Sequence, residues 1–122
     1  MGSFGSPAVD RLERLGPDAF QGDRLSRPGT WTVGFFAEWC GFCRAFAPSF
    51  AGLDGGAVHL AVGDLTDLHN PLWERFDIEI VPTVIVFRDG KTVLRVDGRP
   101  MEGLGGEDLE KVQRALAPTR KR

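Results

Sequence analysis

Apolar residues along this chain fall into short runs and helical stripes separated by glycine, proline and charge. Ser6-Pro7 offers a helix cap followed by proline at the first helical position, and Val9, Leu12 and Leu15 then recur at near-helical spacing. Gly16-Pro17 stops that pattern, and residues 21–30, with Gly22, Pro28 and Gly29 among charges, read as loop. Trp31 to Ala37 (WTVGFFA) is almost wholly apolar, which predicts a strand buried on both faces. Phe42, Phe46, Phe50 and Leu53 recur at intervals of four, four and three, the stripe of a helix that Asp54-Gly55-Gly56 ends. Pro48 inside it should kink the axis, because its ring displaces the bond to Arg44.

Ala57 to Val62 (AVHLAV) predicts a second buried strand, and Asn70-Pro71 the start of a short helix carrying Leu72, Trp73 and Phe76. Thr83 to Phe87 and Thr92 to Val96 read as two strands of a hairpin around Asp89-Gly90. A final helix follows Gly105-Gly106, with Leu109, Val112 and Leu116 as its stripe. Strands joined through helices pair in parallel, and hairpin partners pair antiparallel. The pattern therefore predicts a mixed sheet of about four strands with helices on both faces, a three-layer α/β domain.

Composition narrows the picture. With 122 residues, 42% of them hydrophobic, one domain over residues 1–122 can bury a single core, with 1–5 and 118–122 as flexible tails. A net charge of -2 gives no ground for a nucleic-acid or membrane partner, and Arg120-Lys121-Arg122, behind Pro118, reads as a solvated tail. No apolar segment of the signal-peptide kind opens the chain, and no run approaches the roughly 18 residues of a membrane span, so the cytoplasm is the default location. Two cysteines cannot staple a disulfide-rich secreted scaffold.

Those two cysteines, Cys40 and Cys43, carry the candidate chemistry. Cys40 falls directly after a predicted buried strand, where the next helix begins and its unpaired N–H groups and dipole favour a thiolate. Cys43 lies one turn later on the same face, within reach of a disulfide. The pair could attack a substrate disulfide through one sulfur and release the product through the other. A static bridge or two inert core thiols are the alternatives, although a bridge closing so short a loop adds little stability. A zinc site would have to recruit His59 and His69, whose spacing from Cys43 fits no usual site. His59 reads better as a strand histidine, and Asp64 and Asp67 as loop and capping residues.

Phe35-Phe36-Ala37-Glu38-Trp39-Cys40-Gly41-x-Cys43 resembles the active-site strand and turn of the thioredoxin family. Pro48 is similar to the proline of that family's active-site helix, Val81-Pro82-Thr83 to its cis-proline loop, and Arg88-Asp89-Gly90-Lys91 to the turn of its last hairpin. Gly98 falls where the family has a glycine beside the active site. The resemblance runs from about residue 31 to 98, and the terminal helices fit it. It implies the thioredoxin fold, with a mixed sheet of about four to five strands. It also implies Cys40 as nucleophile, Cys43 as resolving thiol, a cis Pro82, and no metal or cofactor beyond the Cys40–Cys43 disulfide. The Val81 backbone would pair with an extended substrate, and Trp39, Gly41, Phe42 and Gly98 would complete the contact surface. Trp39 and Phe42 could instead be ordinary core aromatics.

Two residues depart from the family pattern. Gly34 stands where thioredoxins carry a buried aspartate beneath the resolving cysteine, with no lysine partner near Val62, and Phe42 stands where they have proline. Without that carboxylate, water or a substrate group must take the Cys43 proton, so Gly34→Asp is expected to speed resolution. The function so implied is reduction of protein disulfides by a monomer served by a thioredoxin-reductase-type electron donor. An oxidase or isomerase would use the same residues at a higher potential, within a span of about -270 to -120 mV. A binding module that kept the fold without redox turnover is the third reading.

Overall fold

The computed structural model describes residues 3–53 and 59–116. The predicted Asp54-Gly55-Gly56 helix stop, the first two residues of the AVHLAV strand and the terminal basic run lie outside them. Residues 3–5, expected to belong to a loose tail, are tied down. Phe4 is fully buried, with its ring 5.9 Å from that of Phe36, and both Ser3 and the Phe4 N–H donate to the Asp10 carboxylate.

The chain forms α1 (Pro7–Asp10), β1 (Glu13–Leu15), β2 (Phe20–Gln21), β3 (Arg24–Leu25) and β4 (Thr30–Phe36). It continues with α2 (Gly41–Ala51), β5 (His59–Asp64), α3 (Leu72–Arg75), β6 (Thr83–Arg88), β7 (Lys91–Asp97) and α4 (Gly106–Leu116). The first helix is shorter than its apolar spacing predicted. It ends at Asp10, and Glu13–Leu15 instead pairs in parallel with β5, with Leu15 opposite Gly63. Ser6 caps α1 as expected, its hydroxyl accepting the Val9 N–H at 3.3 Å. The stretch read as loop after residue 20 carries the small β2–β3 hairpin, turned at Gly22 with φ of 61°.

Five strands make the main sheet in the order β1-β5-β4-β6-β7. The β1–β5 and β5–β4 pairs are parallel, and the β4–β6 and β6–β7 pairs antiparallel, as the connections required. Asp89 and Gly90 both take positive φ, 51° and 91°, the backbone a tight two-residue hairpin needs. Every residue of β4 after Thr30 is buried, as is β6 from Thr83 to Phe87, so the central strands are covered on both faces.

Successive strand residues point to opposite faces, and Phe35 and Phe36 divide the core between them. Phe35 joins Phe20, Phe76 and Phe87 on one face, with ring centroids 5.1–6.4 Å apart. Phe36 joins Phe4, Phe46 and Phe50 on the other. The chain holds nine phenylalanines and no tyrosine, so these clusters bury large apolar area without a hydroxyl to satisfy. Eight of the nine are buried, and the exception is Phe42.

Candidate active site

β4 brings the chain to the site and α2 starts it. The Cys40 N–H donates to the Ala37 carbonyl at 3.2 Å, and Cys40 becomes the N-cap of the eleven-residue α2. Its Sγ accepts the Cys43 N–H at 3.1 Å, so the sulfur faces a backbone donor at the positive end of the helix. The Cys40 S–H donates to the Val81 carbonyl at 3.5 Å. Cys40 therefore bridges the start of α2 and the loop before β6. Both cysteines are free thiols.

The α2 stripe is displaced from the predicted one. Cys43, Phe46, Ala47 and Phe50 face inward, while Phe42 turns outward and stays 43% exposed. Trp39 is 56% exposed, which removes the core-aromatic reading for both. Its indole N–H donates to the Thr66 carbonyl at 3.0 Å, and its ring stacks on Trp73 at 6.4 Å between centroids. Trp39, Cys40, Gly41, Phe42, Val81 and Met101 line an open groove of about 460 Å³, together with Trp73, Glu79, Ile80, Arg99 and Pro100.

The Val81–Pro82 peptide bond is cis. Thr83 is buried rather than presented to the groove, and its hydroxyl donates to the Ile80 carbonyl at 2.8 Å, tying the loop to itself. Gly98 packs against this loop. A Cβ there would stand 2.7 Å from the Pro82 carbonyl oxygen, so only glycine allows the approach. A Cβ on Gly41 would meet nothing within 4 Å, leaving that edge of the groove open.

Behind Cys43 the core is close-packed carbon. Gly34 and Val62 are direct register partners on β4 and β5. A Cβ on Gly34 would stand 2.7 Å from the Phe36 ring and 3.1 Å from that of Phe50, so aromatic carbon fills the space a side chain would need. This revises the expectation for Gly34→Asp, since there is no room for a carboxylate without repacking two buried rings. Burial pushes the Cys43 thiol well above its ordinary value, and contact with Cys40 pushes the same way. The Ala37 backbone pulls it down without reversing the shift.

The histidines stand away from the pair. His59, the first residue of β5, stacks on its β4 neighbour Trp31 at 4.3 Å, and His69 lies in the loop after β5. Asp64 accepts from the Thr66 N–H and hydroxyl, and Asp67 from the His69 N–H, both loop-forming roles. Among the described residues no group of three or more His, Cys, Asp or Glu is placed to hold a metal ion.

A family model described as Thioredoxin matches residues 13–106. The chain belongs to the thioredoxin family. It is 36% identical to a thioredoxin of Chlamydia pneumoniae over 77 residues, 62% of this chain and 76% of that protein. It is 32% identical to protein disulfide-isomerase A6 of Homo sapiens over 79% of this chain and 23% of that one. Thioredoxin f from spinach chloroplast has the same fold, with a TM-score of 0.67 and 21% identity over 89% of this chain and 88% of that one. As a member of the thioredoxin family, the chain is a thiol–disulfide oxidoreductase acting on protein disulfides.

One part of this thioredoxin site was missed in the sequence, the turn after β7. Arg99 and Gly103 exchange backbone hydrogen bonds of 3.1 and 2.9 Å, closing a loop that carries Pro100, Met101 and Glu102. The Arg99 guanidinium donates to both carboxylate oxygens of Asp108, at 3.2 and 3.0 Å, and to Glu102 at 3.1 Å. Asp108 also accepts the Gly105 N–H at 2.8 Å, the reach-back bond of a helix capping box. An aspartate three residues after a glycine at a helix start was the available signal. Burial alone would raise the Asp108 carboxyl, but the bonds from Arg99 and Gly105 and the charges of Arg99 and Lys111 hold it below its ordinary value.

Proposed function

We propose that this thioredoxin-family protein reduces protein disulfides, with Cys40 as attacking nucleophile and Cys43 as resolving thiol. The observation that supports the assignment is unequal exposure. Cys40 borders the groove, whereas Cys43 is fully buried behind it and can react only with a sulfur already bound at Cys40. In the first step the Cys40 thiolate attacks one sulfur of the substrate disulfide. The substrate S–S bond breaks, and the departing sulfur leaves as a thiolate that takes up a proton. The mixed disulfide is then attacked by Cys43 after loss of its proton. The Cys40–Cys43 disulfide forms, the second substrate sulfur leaves as a thiol, and two electrons have passed to the substrate. The couple is the only redox group this scheme needs.

The Val81 backbone, Trp39 and Phe42 would hold the polypeptide beside Cys40, with Gly41 keeping the approach clear and buried Gly98 letting the chain after β7 pack against the cis-proline loop. Acting as a monomer leaves this groove open to a polypeptide. Sustained reduction needs a donor of the thioredoxin-reductase type and a reducing compartment such as the cytoplasm. No helix among the described residues is long and apolar enough to cross a membrane.

This aromatic layer favours one second reading, a disulfide isomerase. With aromatic carbon rather than a carboxylate behind Cys43, resolution has no internal base and the mixed disulfide lives longer. A second substrate cysteine then has time to attack in place of Cys43. Equilibration in thiol buffers of stepped potential, with alkylation and mass readout, separates the two. A midpoint near about -270 mV supports the reductase, and one near about -180 mV the isomerase or oxidase. Cys43→Ser should trap a mixed disulfide on Cys40; trapping on Cys43 in a Cys40→Ser variant instead would reverse the roles.

A further inference from the structure

Met101 stands out in the groove for what does not explain it. It is 87% exposed, so no packing holds it, and its φ of 64° is a left-handed backbone that disfavours any side chain bearing a Cβ. Glycine would suit such a position better, and the chain uses glycine two residues later, at Gly103 with φ of 69°. The loop is nonetheless held firmly. Its ends exchange backbone bonds, Arg99 is clamped by buried Asp108, and Gly103 sits so close to Phe42 that a Cβ would stand 2.8 Å from the Phe42 Cβ. A strained, exposed side chain on a rigid mount beside a reactive sulfur points to contact with a ligand.

We propose that Met101 is a specificity-determining residue, which with Phe42 and Trp39 selects polypeptide disulfides carrying a bulky apolar residue next to the attacked cysteine. The proposal rests on reading the groove as the site for protein disulfides, and adds which ones it prefers. Of the five large exposed hydrophobics among the described residues, three, Trp39, Phe42 and Met101, line this one groove. The unbranched thioether of methionine adapts to varied apolar partners. Charge completes the description of the occupant. Of the two charged groove residues, Arg99 is neutralised by Asp108 and Glu102, while exposed Glu79 has no ion-pair partner among the described residues. A basic side chain near the apolar one therefore complements the groove, and an acidic one opposes it.

The test uses the full, reduced protein in single-turnover reactions with three short peptides, each a disulfide-linked homodimer. One carries leucine beside its cysteine with lysine next, one leucine with glutamate, and one glycine with lysine. The leucine–lysine peptide should react about tenfold faster than the glycine–lysine peptide. Met101→Gly, which suits the backbone, should cut that preference about threefold. Met101→Asn, which tolerates the same backbone without apolar reach, should do the same, so a loop loosened by glycine is told apart from a lost side chain. Glu79→Lys should erase or invert a lysine-over-glutamate preference of about threefold. An unchanged leucine-to-glycine ratio in both Met101 variants overturns the inference while leaving the reductase reading intact. Failure to reduce any of the three peptides overturns both.

Discussion

Behind Cys43 and in front of Cys40 the protein is held together by different forces. The rear wall is carbon, with buried Gly34 and Val62 paired across β4 and β5 and the fully buried Phe36 and Phe50 rings meeting edge to face. The front is a set of exposed side chains fixed by hydrogen bonds at their bases, the Trp39 indole on Thr66 and the Met101 loop on Asp108. Close packing resists insertion of any group, because neighbouring rings have nowhere to go. Pinned polar supports resist loss of a partner, because a buried carboxylate left without its bonds is penalised. The two cysteines thus differ in kind. Cys43 is fully enclosed, while Cys40, though largely buried, borders the groove.

Gly34→Asp is the strongest way to break this contrast. Inserting a carboxyl against Phe36 and Phe50 combines overpacking with burial of an unpaired polar group, a loss of about 4 kcal/mol. Urea denaturation should show that loss, without the faster resolution expected from sequence alone. A variant as stable as the parent that also resolves mixed disulfides faster would mean the aromatic layer yields, and the rear wall is softer than its packing implies.

On the front, Asp108→Ala should cost about 2 kcal/mol by removing charge-assisted bonds to Arg99 and to the Gly105 N–H. The pH dependence has a fixed sign. Because the folded-state carboxyl is held below its ordinary value of 3.8, the stability it contributes is present above that value and is lost as pH falls through the lower, folded one. Acid unfolding of the parent should therefore be steeper than that of Asp108→Ala. Equal acid limbs would show that Asp108 is not what pins the loop.

How far each region was legible follows from the same contrast. The rear wall could be read because WTVGFFA and the Phe46–Phe50 spacing are local patterns that burial alone explains. Phe42 misled by helical spacing, since the first turn of α2 lies at the groove and Cys43 takes the inward place. β1 was hidden because only Leu15 of its three residues is buried, and its strand character comes from pairing with β5. The Arg99–Asp108 clamp joins residues whose polar character argues for solvent. Only the turn of the chain after β7 gives each a partner that makes burial of Asp108 tolerable.

Alkaline titration sharpens the rear wall further. The Cys43 thiol is raised above its ordinary value of 9.0, so the folded state keeps a proton that the unfolded chain releases. Stability of the reduced protein should fall by up to about 1.4 kcal/mol per pH unit from about pH 9 upward, a slope that Cys43→Ser should lack. Resolution of the mixed disulfide should also quicken as pH rises, following the small thiolate fraction of Cys43. Matching slopes in parent and variant would mean that water reaches Cys43 and the wall is not close-packed.

The smallest effect is expected at Trp39. Trp39→Phe keeps a ring able to lie over Trp73 and removes only the indole N–H bond to the Thr66 carbonyl, at a site more than half exposed. Water can replace that donor, so the loss should be about 0.5 kcal/mol, near the low end for a hydrogen bond. A double-mutant cycle with Trp73→Ala isolates the stacking contribution, expected to be another 0.5 kcal/mol or about that. If Trp39→Phe proved as damaging as Asp108→Ala, the groove would be held from its tryptophan side. The Met101 loop would then be an accessory to that side rather than the rigid half of the front.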